Sequence, residues 1–253
     1  MMIEREDLLA MARFKGLSPQ FAELDYVQDI ALIHIYKEFG DHLVFKGGTC
    51  LYKVYQLNRF SEDLDFTATK GFKAKDFFHR LPYFFDLLNI KSRVNIEKFE
   101  KGTNVYLEIS GPLYNGRKET SVTLIFNISF RERILLPIER CSYRSVYGEI
   151  RPFELFAMSE KEILAEKVRA IYGRNKARDV YDLWYLLIQK QHRFEAEFVN
   201  KKLVYDKTKF EKEKFLSKID EKKTSWERDL AALIAGTLPP FDQVKKDIIK
   251  AIG

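Results

Sequence analysis

The stretch VFKGGTCLYKVYQLNRFSEDLDF, residues 44–66, decides the fold. The apolar run Leu43-Val44-Phe45 meets Gly47-Gly48, so a short buried strand enters a tight turn, and a helix is expected from about Thr49 to Leu57. LDFTA, residues 64–68, reads as a second strand. Side chains two apart on a strand share a face, which sends Asp63 and Asp65 to one side and Leu64 and Phe66 into the core. Taken alone, the acids are most simply two carboxylates on a solvated strand edge. Coupling of strand, glycine turn, helix and acidic strand points further. Glycine lets a backbone approach a phosphate, and the free N–H groups near Thr49, with its hydroxyl, offer donors to an anion. Paired carboxylates call for a cation, and a cation that keeps water and accepts phosphate oxygens, Mg²⁺ or Mn²⁺, suits them.

Outward from this stretch the chain has two characters. Ser18-Pro19 starts a helix whose apolar positions run from Phe21 to Ile35 and end at Gly40, the long helix expected to open the fold. A helix is expected over Lys73 to Leu88, followed by strands in VNIEKF, NVYLEIS and SVTLIFNISF. Beyond Pro152 the patterns are helical: from a Ser159 cap to Tyr172, from about Ala177 to Gln189, and around 208–219, 223–235 and 241–252. The expected fold is α/β (α+β), with a mixed or antiparallel sheet flanked by helices in residues 1–150 and a helical bundle in 151–253 that completes the cleft.

The 253 residues are 46% hydrophobic and 14% aromatic, enough to bury a core and unlike a disordered chain. A net charge of +6 suits a polyanionic partner and equally an ordinary solvated surface. The two cysteines, Cys50 and Cys141, lie far apart without a pairing motif, and no run approaches the roughly 20 apolar residues of a membrane span. A reducing, cytoplasmic setting without membrane contact is expected. His34, His42, His79 and His192 share no spacing and receive no catalytic role, and no helix-turn-helix with a basic recognition helix stands out.

The Gly-Gly-Thr turn, thirteen intervening residues and Asp63-Leu64-Asp65 resemble the DNA-polymerase-β-like nucleotidyltransferases. Arg59, Ser61 and Glu62 beside the acids narrow the resemblance to the AbiEii family of type IV toxin–antitoxin nucleotidyltransferases. The second block of that family is matched by KEILAEKVRAIYGRNKARDVYDL, residues 161–183. Without the family, this block is an ordinary pair of amphipathic helices with surface ion pairs.

The resemblance implies transfer of a nucleoside monophosphate from a nucleoside triphosphate to an acceptor, RNA and specifically tRNA 3′ ends, and a cognate antitoxin partner. It implies that Asp63 and Asp65 hold the metal and act with Lys167 and Asp182 in catalysis. It assigns nucleotide binding to Gly47, Gly48, Thr49, Arg59, Ser61, Lys161, Lys167, Arg169, Arg178 and Asp179. Arg174, Lys176 and Arg178 agree with an RNA acceptor. Asn127 stands where the superfamily usually has a third carboxylate, and Glu108 has no assigned place. Three readings stay open: two acids with water and phosphate suffice, Asp179 or Asp182 completes the site, or catalysis is impaired. Rival functions are transfer to a small molecule or a protein, and a non-catalytic protein that binds RNA or antitoxin.

Overall fold

A computed structural model describes residues 2–253, and the chain divides into two compact units. The first comprises the residues up to Cys50 with Ser61–Met158, and the second comprises Leu51–Phe60 with Ser159–Gly253.

The first unit opens with α1 (Arg5–Lys15), closed by Gly16 in the left-handed region, and α2 (Pro19–Phe39), whose Ser18 cap accepts from Phe21 N at 3.2 Å. The opening helix is therefore α1. Its charges line its exposed face, and Leu8 and Ala12 alone are buried on it, too sparse an apolar pattern to read from sequence. The remaining elements are β1 (Leu43–Lys46), α3 (Gly47–Lys53), which runs on into the second unit, β2 (Leu64–Ala68), α4 (Ala74–Leu87), β3 (Ser92–Phe99), β4 (Gly102–Ile109), β5 (Val122–Ser129), β6 (Glu139–Tyr143) and β7 (Phe153–Ala157).

The seven strands form one sheet in the order β3-β4-β5-β2-β1-β7-β6. It is mixed: β2 runs parallel to β5 and β1 to β7, and the other neighbours are antiparallel. β6 and β7 are absent from the sequence reading, which turns helical at Pro152. FELFA is a run of only five residues directly after Pro152, and it joins the sheet through five registered pairs with β6 and one, Phe45 with Ala157, with the distant β1. α2 packs on β1, β5 and β7 and buries most of its length. Phe39, Phe72, Phe77 and Phe126 form an aromatic cluster beside it, with ring centroids 5.5–5.9 Å apart.

The other sheet face is open over β3, β4 and β5. Arg93, Asn95 and Glu97 are exposed and Asn104, Tyr106, Glu108, Ile125 and Asn127 are half-buried, alternating with buried Val105, Leu107, Leu124 and Phe126.

In the second unit, α5 (Glu160–Gly173) follows the Ser159 cap, and α6 (Ala177–Trp184) continues as a π-helical turn over Tyr185–Gln189. Then come α7 (Ala196–Leu203), α8 (Lys212–Asp220), α9 (Trp226–Leu230) and α10 (Phe241–Ile252). The helix expected over 223–235 is only the short α9, and α7 was not expected. Residues 58–60 are tied into this unit: Phe60 N donates to Leu233 O at 2.7 Å and Ala235 N to Asn58 O at 2.9 Å. Among the described residues no helix is long and apolar enough to cross a membrane.

Candidate active site

In the first unit, β1 and β2 are antiparallel with Lys46 opposite Asp65, so the chain turns at Gly47 directly beside the acidic strand. Gly47 has φ +75°, and a Cβ placed on it would lie 3.0 Å from the Asp65 Cβ and Cγ and closer still to Oδ2. Glycine is required there on both counts, by backbone conformation and by space. Gly48 and Thr49 are buried. The Thr49 hydroxyl donates to the carbonyl of Asp63, so it anchors the start of the acidic segment and is not left over for a ligand.

Asp63 and Asp65 are half-buried, while Leu64 and Phe66 are fully buried, the alternation expected of two carboxylates on one face. Two side chains steady them. Asn127, in register with Asp65 on β5, donates Nδ2 to Asp65 Oδ1 at 3.0 Å. Gln28, buried on α2, donates Nε2 to the carbonyls of Ser61 and Glu62 at 3.0 and 2.7 Å and so fixes the two residues before Asp63. Lys46, buried, pairs with Glu132. Ser61 is 6% exposed. Glu108 lies in the row of Arg93 and Thr123, four residues along β5 from Asn127, and accepts from Ser121 Oγ at 3.0 Å; it does not join the acids.

The second unit carries a buried charge network. Arg59 is 1% exposed and grips Asp182 with two hydrogen bonds, Nε to Oδ1 and Nη2 to Oδ2, both 2.9 Å. Its Nη1 donates to Phe60 O at 2.8 Å. Lys167 Nζ sits 2.6 Å from Asp182 Oδ2 and 3.0 Å from Asp179 Oδ1, and Arg174 adds two bonds to Asp179 at 2.7 and 2.8 Å. Burial pushes both aspartates up, but neighbouring cations outweigh it: Lys167 with Arg174 for Asp179, Arg59 with Lys167 for Asp182. Both carboxyls are held below the usual range and stay ionised.

The cations expected to act together are thus separated. Lys161 pairs with Glu195 at 2.7 Å, Arg169 lies 3.7 Å from Asp206, and Lys167 joins Arg59 and Arg174 at the aspartates. Arg178 is half-buried on α6, and Lys176 is exposed just before it.

Comparison with known proteins gives this geometry its context. The family model described as nucleotidyl transferase AbiEii toxin, type IV toxin–antitoxin system, matches residues 31–247. The chain belongs to the AbiEii family. It is a nucleotidyltransferase of a toxin family, whose members imply a nucleoside triphosphate substrate and an antitoxin partner. Several solved structures share the fold. The MenT4 nucleotidyltransferase toxin from Mycobacterium tuberculosis is 21% identical, with a TM-score of 0.70 over 99% of this chain and 88% of that one. JHP933 from Helicobacter pylori is 20% identical, with a TM-score of 0.60 over 93% and 91%. No curated protein matches the chain.

Among the described residues of this AbiEii-family chain, no group of three His, Cys, Asp or Glu side chains is placed to hold a metal ion. The pair Asp63 and Asp65, beside a glycine that leaves Asp65 Oδ2 uncovered by any side chain of its own, fits a cation that takes its other ligands from water and phosphate. The sequence reading missed Gln28 and Lys46 with Glu132, and it named Arg174 for an RNA acceptor without its bonds to Asp179. Gln28 stands 33 residues from Ser61, inside a helix that reads as core, and carries no local signal.

Proposed function

We propose that the protein transfers a nucleoside monophosphate from a nucleoside triphosphate to RNA, with tRNA 3′ ends as the acceptor, and that Asp63 and Asp65 carry the reaction with Mg²⁺ or Mn²⁺. The observation that supports this reading is Asp65 directly beside Gly47, where no side chain can stand, with Asp63 two residues before it and half-buried as Asp65 is. The cation held there would neutralise phosphate charge and stabilise the charge that develops as the bond to pyrophosphate breaks. Asn127 orients Asp65 by its 3.0 Å hydrogen bond, and Gln28 and Thr49 fix the backbone that presents Asp63. Gly47 keeps the approach to Asp65 open. The acceptor hydroxyl bonds to the α-phosphorus, pyrophosphate leaves, and the hydroxyl proton goes to solvent. Cys50 and Cys141, which form no disulfide, accord with a cytoplasmic setting.

The test is incubation with Mg²⁺, each α-³²P-labelled nucleoside triphosphate in turn and total cellular RNA, for wild type and Asp63→Ala. Label in RNA with wild type only is the expected result. Label in protein or a small molecule would replace the acceptor, and nucleotide binding indifferent to Mg²⁺ and to Asp63→Ala would remove the enzymatic reading.

A further inference from the structure

We propose that the open sheet face carries a second anion site, at the Lys91 end of β3, that holds a backbone phosphate of the RNA acceptor. The proposal rests on the RNA-transfer reading above and adds where that RNA is held.

A cavity of about 360 Å³ lies at this end of the sheet, lined by Lys91, Arg93, Lys118, Tyr114, Glu108 and Ser121 among others. Three cations thus surround one concavity, and none of them makes an ion pair within the described residues. Its single lining carboxylate, Glu108, is engaged by the Ser121 hydroxyl at 3.0 Å. Some surface cations elsewhere are paired, Lys161 with Glu195, Lys223 with Asp242 and Lys245 with Asp220. Converging like charges repel one another, and a bound anion removes that cost.

Strand register connects this cavity to the acids. Arg93 is opposite Glu108, and Glu108 opposite Thr123. Thr123 and Asn127 are four apart on β5 and share a face, and Asn127 is opposite and hydrogen-bonded to Asp65. Arg93 and Asp65 therefore lie on the same sheet face. They are three strands and four residues apart, roughly 20 Å by ordinary strand spacing and rise. Between them run Asn95, Tyr106 and Ile125 in one row and Glu97, Asn104 and Asn127 in the next. Apart from Ile125 this track is polar and at least half-exposed, with one carboxylate, Glu97, and one aromatic ring, Tyr106, whose hydroxyl is tied to that carboxylate at 2.9 Å. A ligand that reaches both ends must be long and carry negative charge away from its reacting terminus. A polynucleotide meets both conditions and gives the ring a base to stack on.

Binding of fluorescein-labelled tRNA by full-length protein, followed by anisotropy between 50 and 300 mM salt, tests the site. Wild type is compared with Lys91→Glu/Arg93→Glu/Lys118→Glu and with the milder triple alanine variant, each checked for folding by circular dichroism. Expected is a loss of roughly tenfold or more in affinity and a salt slope lower by about 2 units, with Mg²⁺-dependent nucleoside triphosphate binding unchanged. Unchanged affinity and slope in a folded variant overturns the proposal, as does wild type that does not bind tRNA. Label transfer to RNA with unchanged affinity would remove this site and leave the transfer reading intact. Affinity lost in the variants while wild type transfers no label would keep the site and remove the transfer reading.

Discussion

Asn127 donates its side-chain amide to Asp65 Oδ1 at 3.0 Å, so a neutral group steadies an acid at the strand position where the resemblance leads one to expect a third carboxylate. Its replacement by Asp would set a third carboxylate within hydrogen-bond reach of Asp65. Like charges at that range raise the apparent pKa of the pair and cost stability unless a cation intervenes. Asn127→Asp is therefore expected to melt lower than wild type in EDTA and to gain more from Mn²⁺. Thermal unfolding with and without the ion measures both, and equal Mn²⁺ shifts in the two proteins would show that residue 127 does not face the cation.

Gln28 supports the neighbouring acid through the backbone. Its amide satisfies two carbonyls in a buried setting, and a buried acceptor left without a donor costs about 1–3 kcal/mol. Gln28→Leu should lose stability of that order and, because it frees the residues before Asp63, lower kcat more than it raises KM for the triphosphate. Steady-state kinetics and urea denaturation separate the two effects; a stability loss with unchanged kcat would make Gln28 a core residue only.

The acidic segment and its glycine turn were legible because the acids fall two apart and their neighbours are apolar, a local pattern. Both helices of the second block and the Ser159 cap were legible for the same reason. Partner choice was not. Arg59 reads as a nucleotide ligand four residues before Asp63, yet it turns into the helical unit and pairs with Asp182, 123 residues away. Sequence spacing sets the face of one element and says nothing of which distant charge meets it. β7 was lost too, since five residues are too short a run to show a period and its pairing with β6 and the distant β1 is not written in it.

The Arg59, Lys167, Asp179 and Asp182 network predicts a strong and particular cost. Removing one partner of a buried pair leaves an uncompensated charge, worth about 3–5 kcal/mol. Lys167→Met should therefore destabilise strongly, and its loss of activity would not by itself show that Lys167 touches a ligand. Lys167→Arg, which keeps the charge, is the informative companion. Both aspartates have folded pKa values below their unfolded ones, so their contribution is present above about pH 4 and fades as pH falls through the folded values. Urea denaturation from pH 6 to pH 3 should show a steep loss near the bottom of that range, and a smaller one in Asp179→Asn.

His34 acts in a separate pH window. It is 7% exposed, stacks on Phe84 with centroids 4.0 Å apart, and its Nε2 has no hydrogen-bond partner. Burial lowers its pKa from the ordinary 6.5 to about 4; Glu38 opposes this, while Lys37 and Arg80 reinforce it. The folded protein favours neutral imidazole, and the unfolded chain begins to take up a proton near pH 6.5. The stabilisation is complete above that value and is lost as pH falls from 6.5 towards 4, by on the order of 1–2 kcal/mol once partial hydration of the ring is allowed for. His34→Leu keeps an apolar contact with Phe84 and cannot titrate, so its stability should be flat across that interval while wild type declines. Parallel curves for the two proteins between pH 4 and 6.5 would mean that His34 is hydrated enough to titrate as it does unfolded. Below pH 4 the two curves should fall in parallel, because the same aspartate network loses its contribution in both.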